Sequence, residues 1–162
     1  MKKVMVIGCP GSGKTTFAEK LSKKTDIPLF YLDAIWHKPD KTHIPREEFD
    51  SRIKEIFAAE EWIIDGNYAS TMELRMSVCD TVLFLDFPLE VCLSGIKERQ
   101  GKPRPDMPWI ETEDDEEFLE FIRDYNTDSR PKVIELLNKY SDKNIVVFKS
   151  RKEAEQYINE IR

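Results

Sequence analysis

Residues 8–15 constrain the fold of this chain more than any other part of the sequence. They read Gly-Cys-Pro-Gly-Ser-Gly-Lys-Thr and fit the phosphate-binding pattern G-x-x-x-x-G-K-[ST]. A short apolar run, residues 4–7, precedes the pattern, and helix-forming residues, 16–24, follow it. The chain is therefore predicted to pass from a buried strand through a phosphate-binding loop into a helix, which is the order that this motif requires.

This loop is predicted to bind both a nucleotide and a metal ion. Its glycines let successive backbone N–H groups point at phosphate oxygens, and Lys14 adds a positive charge near the β- and γ-phosphates. The hydroxyl of Thr15 is a ligand for Mg²⁺ in this pattern. The predicted nucleotide-binding residues are Gly8, Pro10, Gly11, Ser12, Gly13, Lys14, Thr15 and Thr16.

The length and composition favour one globular domain. The 162 residues suit a single domain, residues 1–162, with a small lid inserted at about residues 100–127. No apolar run approaches the length of a membrane span, so the expected location is the cytoplasm. The net charge of −6 argues against direct binding to nucleic acid, which depends mainly on Lys and Arg contacts with phosphates.

Candidate strands alternate with helical patterns along the rest of the chain. Further apolar runs typical of buried strands lie at residues 28–32, 62–64, 81–85 and 145–148. This alternation predicts an α/β fold with a parallel sheet. The stretch 34–44 has no clear period and is predicted to be a loop near the site of the phosphoryl acceptor.

Two of the acidic residues that follow these strands are candidate site residues. The carboxyl ends of parallel strands meet at the ligand edge of a sheet, so Asp33 is predicted to bind or activate a substrate hydroxyl, to hold Mg²⁺ through water, or simply to end its strand in a turn. Asp65 occupies the position of an acidic group that orients magnesium-bound water, and with Thr15 it forms the predicted metal site. Gly66 lets a ligand approach the backbone, and Tyr68 is a further candidate substrate-binding residue.

Four arginines are candidates for binding anionic groups. Arg75 lies in a predicted helix and would contact an anionic acceptor if it faces the cleft, and is otherwise a surface residue. Arg99 and Arg104 lie in the basic, proline-rich stretch 99–109, which is predicted to close over the transferring phosphoryl group as a lid. Arg130, near the start of a later helix, is a second lid or hinge candidate.

With these pieces in order, the sequence resembles the adenylate-kinase-like branch of small P-loop kinases over nearly its whole length. More narrowly, it resembles the group of DNA topology modulation proteins. The resemblance rests on residues 8–16, 31–33, 62–68, 73–75, 81–86 and 99–108. It implies a three-layer P-loop NTPase fold whose five-stranded parallel sheet has the order 2-3-1-4-5, with helices on both faces and a small lid. It also implies ATP and Mg²⁺ as the phosphoryl donor.

One departure from the adenylate kinase pattern leaves the acceptor open. Adenylate kinases typically follow Asp-Gly with Phe-Pro-Arg, whereas Asn67 and Tyr68 follow Asp65 and Gly66 here. The leading hypothesis is an ATP-dependent phosphotransferase whose small-molecule acceptor is a nucleoside monophosphate or a hydroxyl metabolite. The alternatives are a nucleotide-binding regulatory protein with an indirect effect on DNA topology and a simple NTP hydrolase.

Overall fold

The computed structural model describes residues 1–112 and 115–162, and its centre is a parallel sheet. The strands are β1 (Lys3–Gly8), β2 (Leu29–Tyr31), β3 (Trp62–Asp65), β4 (Thr81–Leu85) and β5 (Asn144–Phe148). They pair in the order β2-β3-β1-β4-β5, and every pairing is parallel. The predicted five-stranded sheet of order 2-3-1-4-5 is confirmed.

Helices cover both faces of this sheet. Within the described ranges they are α1 (Lys14–Thr25), α2 (Leu32–Trp36), α3 (Arg46–Phe57), α4 (Ala69–Val78), α5 (Leu89–Arg99), α6 (Glu116–Asp128), α7 (Arg130–Lys139) and α8 (Arg151–Glu160). None of them is both long enough and apolar enough to cross a lipid bilayer.

Strand β1 shows why the fold has three layers. Its side chains alternate between two separate apolar clusters, because successive residues of a strand point to opposite faces of the sheet. Val4 and Val6 pack in one cluster with residues of α1, α5 and α8, whereas Met5 and Ile7 pack in the other with residues of α3, α4 and α7. All four side chains are fully buried, as expected for a central strand covered on both sides.

The chain after β2 differs from the prediction. Strand β2 ends at Tyr31, and the predicted loop at 34–44 begins as the short helix α2. Leu32 is fully buried and Asp33 lies in the first turn, where a carboxylate interacts favourably with the helix dipole. Asp33 therefore projects from a helix start rather than from a strand end.

The strand register brings the functional loops to one edge. Gly8 lies beside Leu85, and Asp65 lies beside both Val6 and Tyr31, so the segments after these strands leave the sheet at the same level. Residues 100–112, which we call the lid loop, follow α5 and contain no helix or strand. Positions 113 and 114 of the predicted lid insert lie outside the described residues.

Candidate active site

The loop between β1 and α1 forms one wall of a cavity of about 420 Å³. Gly11, Gly13, Lys14, Thr15 and Thr16 all line this cavity. Helix α1 begins at Lys14 without a side-chain cap, so the N–H groups of its first turn are available to a ligand. A helix N-terminus with free N–H groups is a binding site for anions such as phosphate.

A tight contact with α5 holds this loop from behind. A Cβ atom on Gly11 would lie 2.0 Å from the Cys92 carbonyl oxygen, and one on Gly95 would lie 2.0 Å from the Gly11 carbonyl oxygen. The two backbones touch because neither residue has a side chain. Gly95 was not identified from the sequence, although a glycine inside a helical pattern is a recognised sign of close packing.

Asp65 connects the end of β3 to the loop. The Thr15 hydroxyl donates a hydrogen bond of 2.7 Å to Asp65 Oδ2, whereas Asp65 Oδ1 is buried without a hydrogen-bond partner. Asp65 is 3% exposed, and its burial raises its pKa to about 6, although Lys14 and the hydrogen bond from Thr15 act in the opposite direction. The two predicted metal-binding side chains are therefore in direct contact.

Asn67, which was not assigned from the sequence, connects the segment after β3 to the phosphate-binding loop. Its side-chain Oδ1 accepts a hydrogen bond of 3.1 Å from the Gly8 N–H, and its Nδ2 donates one of 2.7 Å to the Gly8 carbonyl. The segment after β3 thus holds the first residue of the phosphate-binding loop. An amide side chain with one donor and one acceptor is suited to this pairing with a peptide group.

Arg75 lies behind this segment rather than in the cavity. Its guanidinium donates hydrogen bonds to the carbonyl oxygens of Gly66, at 3.0 Å, Tyr68, at 3.1 Å, and Asn67, and to the Thr71 hydroxyl at 3.1 Å. The side chain is 0% exposed, and burial lowers its pKa to about 9. These contacts assign Arg75 to positioning the segment, and its predicted contact with an acceptor stays a prediction.

Tyr68 holds Asp33 from the same segment. The Tyr68 hydroxyl donates a hydrogen bond of 2.5 Å to Asp33 Oδ1. Tyr68 adopts a φ of +36°, which is strained for an aromatic residue, and its carbonyl accepts hydrogen bonds from Arg75 and from the Thr71 N–H. The close approach that Gly66 permits is that of Leu32, whose side chain lies 2.9 Å from the position of a Cβ atom on Gly66.

The lid loop forms the opposite wall of the cavity. Arg104 and Asp106 of this loop line the cavity together with the phosphate-binding loop, and so does Arg99, the last residue of α5. Arg104 forms an ion pair of 3.1 Å with Glu111, and Arg99 lies 3.8 Å from the same carboxylate. The structure therefore brings two of the predicted lid arginines to the phosphate-binding loop, and it adds Asp106, which the sequence analysis did not assign.

Arg130 lies at a different place. It forms two hydrogen bonds, of 2.9 and 2.8 Å, with the carboxylate of Asp86 at the end of β4, and Lys149 binds the same carboxylate at 2.5 Å. These three residues line a separate surface depression. The structure does not bring Arg130 to the cavity that contains Lys14, so its predicted role in phosphoryl transfer stays a prediction.

Solved structures share the fold of this chain. Shikimate kinase from Bacteroides thetaiotaomicron is 17% identical, with a TM-score of 0.59 over 96% of this chain and 93% of that chain. Shikimate kinase from Aquifex aeolicus is 23% identical, with a TM-score of 0.54 over 98% and 92% of the two chains. A gluconokinase from Sinorhizobium meliloti is 16% identical, with a TM-score of 0.60 over 99% and 89%.

This chain has the P-loop NTPase fold. The likeness to these structures is one of fold, because all three are less than 25% identical to this chain. No protein-family model and no curated protein matches the sequence. The narrower resemblance to the DNA topology modulation group stays a prediction.

Proposed function

We propose that this protein is an ATP-dependent phosphotransferase that acts on a small-molecule acceptor. The observation that supports this most directly is the cavity between the phosphate-binding loop, residues 8–15, called the P-loop below, and the lid loop. Lys14 and Thr15 line one side of it, and Arg99 and Arg104 line the other. Phosphoryl transfer depends on positioning and on stabilising negative charge, and this cavity supplies positive groups from two directions.

The residues at the P-loop fit a magnesium ion. Thr15 and Asp65 present neighbouring oxygen atoms, and Asp65 Oδ1 is buried without a hydrogen-bond partner. Within residues 1–112 and 115–162, no three His, Cys, Asp or Glu side chains are grouped to hold a metal by themselves. Mg²⁺ suits such a site because it retains several waters and binds substrate phosphates. When bound, it would neutralise charge on the phosphates of ATP.

The protein's own residues then have distinct roles in the reaction. The N–H groups at the start of α1 and the Lys14 ammonium bind the β- and γ-phosphates. Arg99 and Arg104 stabilise charge that develops on the transferred group. Asp33 accepts a hydrogen bond from the acceptor hydroxyl and takes its proton as the new phosphate ester forms.

A second cavity, of about 280 Å³, suits the rest of the nucleotide. It adjoins the first, since Gly13, Thr16 and Arg151 line both. Phe17 adds an aromatic ring to its wall, and Lys20 adds a cation. These groups support binding of a base and ribose beside the phosphate site, and they do not distinguish adenine from guanine.

The proposal is tested by measuring ADP formation from ATP and Mg²⁺ with a panel of acceptors. Lys14→Ala is expected to lower the acceptor-dependent rate on the order of 100-fold or more, because it removes a charge that stabilises the transition state. Lys24→Ala, an exposed lysine on the same helix, is the matched control and is expected to retain the wild-type rate. An unchanged rate in Lys14→Ala would refute the proposal. ADP formation that no acceptor accelerates would favour a hydrolase instead.

A further inference from the structure

Asp106 is an unusual residue in the lid loop because it is buried. It is 2% exposed, although it lies in a segment without helix or strand. It lines the same cavity as Lys14 and Thr15. Its carboxylate is therefore part of the wall that faces the P-loop.

One oxygen of this carboxylate has no donor. Asp106 Oδ1 is buried without a hydrogen-bond partner, and its nearest cation, Arg104 Nε, is 3.8 Å away, which is too far for a hydrogen bond. Arg104 is bound to Glu111 through its Nη2 at 3.1 Å. Buried carboxylate oxygens are normally hydrogen-bonded, so this one is suited to accept a hydrogen bond from a ligand in the cavity.

Asp33 lies near Asp106. Burial raises the pKa of Asp106, Arg104 acts against this, and the nearby charge of Asp33 raises it further. The lid loop also reaches the helix that carries Asp33, since the rings of Trp109 and His37 meet edge to face at 5.2 Å. Two carboxylates from different parts of the chain, Asp33 on α2 and Asp106 in the lid loop, are thus close enough to interact electrostatically.

The net positive charge of the side chains that line the cavity matches the net negative charge of the phosphoryl donor. These side chains include five Lys or Arg residues and three carboxylates. Magnesium-bound ATP has a net charge of about −2, which this excess of positive charge balances. Arg75, which the sequence analysis offered as an acceptor-binding cation, is fully buried behind the segment after β3. A phosphate group on the acceptor would bring further negative charge next to the buried carboxylate of Asp106 in the cavity wall.

We propose that Asp106 binds the acceptor and that, together with Asp33, it selects a molecule that presents hydroxyl or ammonium donors and has no phosphate group. This inference rests on the proposed phosphotransferase function and narrows its acceptor. In the reaction, the acceptor oxygen forms a bond to the γ-phosphorus as the bond from that phosphorus to the β,γ-bridging oxygen breaks. ADP leaves, and the acceptor proton passes to Asp33.

The test compares molecules that differ only in a phosphate group. Glucosamine is paired with glucosamine 6-phosphate, and adenosine with adenosine monophosphate. Binding is measured by calorimetry to the full-length protein saturated with a non-hydrolysable ATP analogue and Mg²⁺, so that no turnover is needed. We expect the unphosphorylated member of a pair to bind more tightly, by about tenfold or more.

Two variants assign the effect to Asp106. Asp106→Asn is expected to weaken binding of the unphosphorylated compound by about tenfold or more and to leave affinity for the ATP analogue within about twofold. Asp106→Glu, which keeps the carboxylate, is expected to retain part of the affinity. Asp124→Asn removes an exposed carboxylate from α6 and is expected to bind like the wild type.

Several results would overturn the inference. These are tighter binding of the phosphorylated member, no binding of any unphosphorylated compound, or unchanged acceptor affinity in Asp106→Asn. Failure of the proposed function gives a different pattern. A protein that binds glucosamine through Asp106 but never forms ADP with it would retain the inference about binding and refute phosphotransfer. Transfer to adenosine monophosphate but not to adenosine would support phosphotransfer and refute the inference about the acceptor.

Discussion

Asp65 is a buried carboxyl group at the centre of the site. Its replacement by Asn is expected to change stability and activity in opposite directions. In the folded protein, burial raises the pKa of this carboxyl from 3.8 to about 6. The ionised form, which the proposed Mg²⁺ site requires, is therefore the form that burial disfavours. Asp65→Asn is expected to abolish Mg²⁺-dependent activity and, in the metal-free protein, to remove a destabilising charge.

The direction and size of the stability effect follow from this pKa. Between about pH 4 and pH 6 the folded protein binds more protons at Asp65 than the unfolded chain does, so the free energy of unfolding decreases as pH rises through this window. The pKa difference is about 2 units, and each unit corresponds to about 1.4 kcal/mol, so the total loss is about 3 kcal/mol. An Asn side chain cannot ionise and does not show this loss.

Urea unfolding in the presence of EDTA measures the effect. The difference in free energy of unfolding, variant minus wild type, is expected to become more positive by about 2–3 kcal/mol between pH 4 and pH 7.5. Comparing two pH values removes any constant effect of the substitution on packing. The exposed Asp124→Asn is the control, and its difference is expected to stay near zero. A difference for Asp65→Asn that does not change with pH, or that changes in the opposite direction, would refute the reasoning.

Three further substitutions test the supports of the P-loop. Gly95→Ala places a methyl group 2.0 Å from the Gly11 carbonyl oxygen, so we expect a loss of about 1–3 kcal/mol in urea unfolding and weaker ATP binding by calorimetry. Asn67→Ala removes both hydrogen bonds to Gly8, so a loss of about 2 kcal/mol and weaker ATP binding are expected by the same two measurements. Arg75→Met removes a donor from three carbonyl oxygens, of which that of Tyr68 keeps the Thr71 N–H, and we expect a loss of about 3 kcal/mol in urea unfolding.

Each of these predictions has a result that contradicts it. Wild-type stability in Gly95→Ala would mean that α5 moves freely away from the loop. ATP binding unchanged by Asn67→Ala would show that Gly8 keeps its position without the side chain. If Arg75→Met were as stable as the wild type, the segment after β3 would not depend on the guanidinium.

The fold was predictable from the sequence because its signals are local and repeat along the chain. Each buried strand appears as a short apolar run, and each run is followed by a helical pattern. Parallel strands require crossover connections, so this alternation leads to a parallel sheet with helices on both faces. The one clear difference, helix α2 in place of a loop, involves five residues, too few to show a period.

The site was predictable only in part, for a related reason. The groups that bind phosphate all lie within the short segment 8–15. Once the strands are parallel, the carboxyl ends of β2 and β3 lie at the same edge of the sheet. The sequence by itself therefore determined the phosphate-binding loop and the position of Asp65 at the sheet edge beside it.

The tertiary structure decided which side chains face the cavity. Arg75 and Arg104 were both candidates for binding anionic groups. Arg75 is fully buried behind the segment after β3, whereas Arg104 lines the cavity. Asn67 forms its hydrogen bonds with Gly8, which lies 59 residues away in the sequence. Asp106 lies in the wall that the lid loop contributes to the cavity. Burial and hydrogen-bond partners depend on contacts between distant segments, and a pattern within one segment contains no information about them.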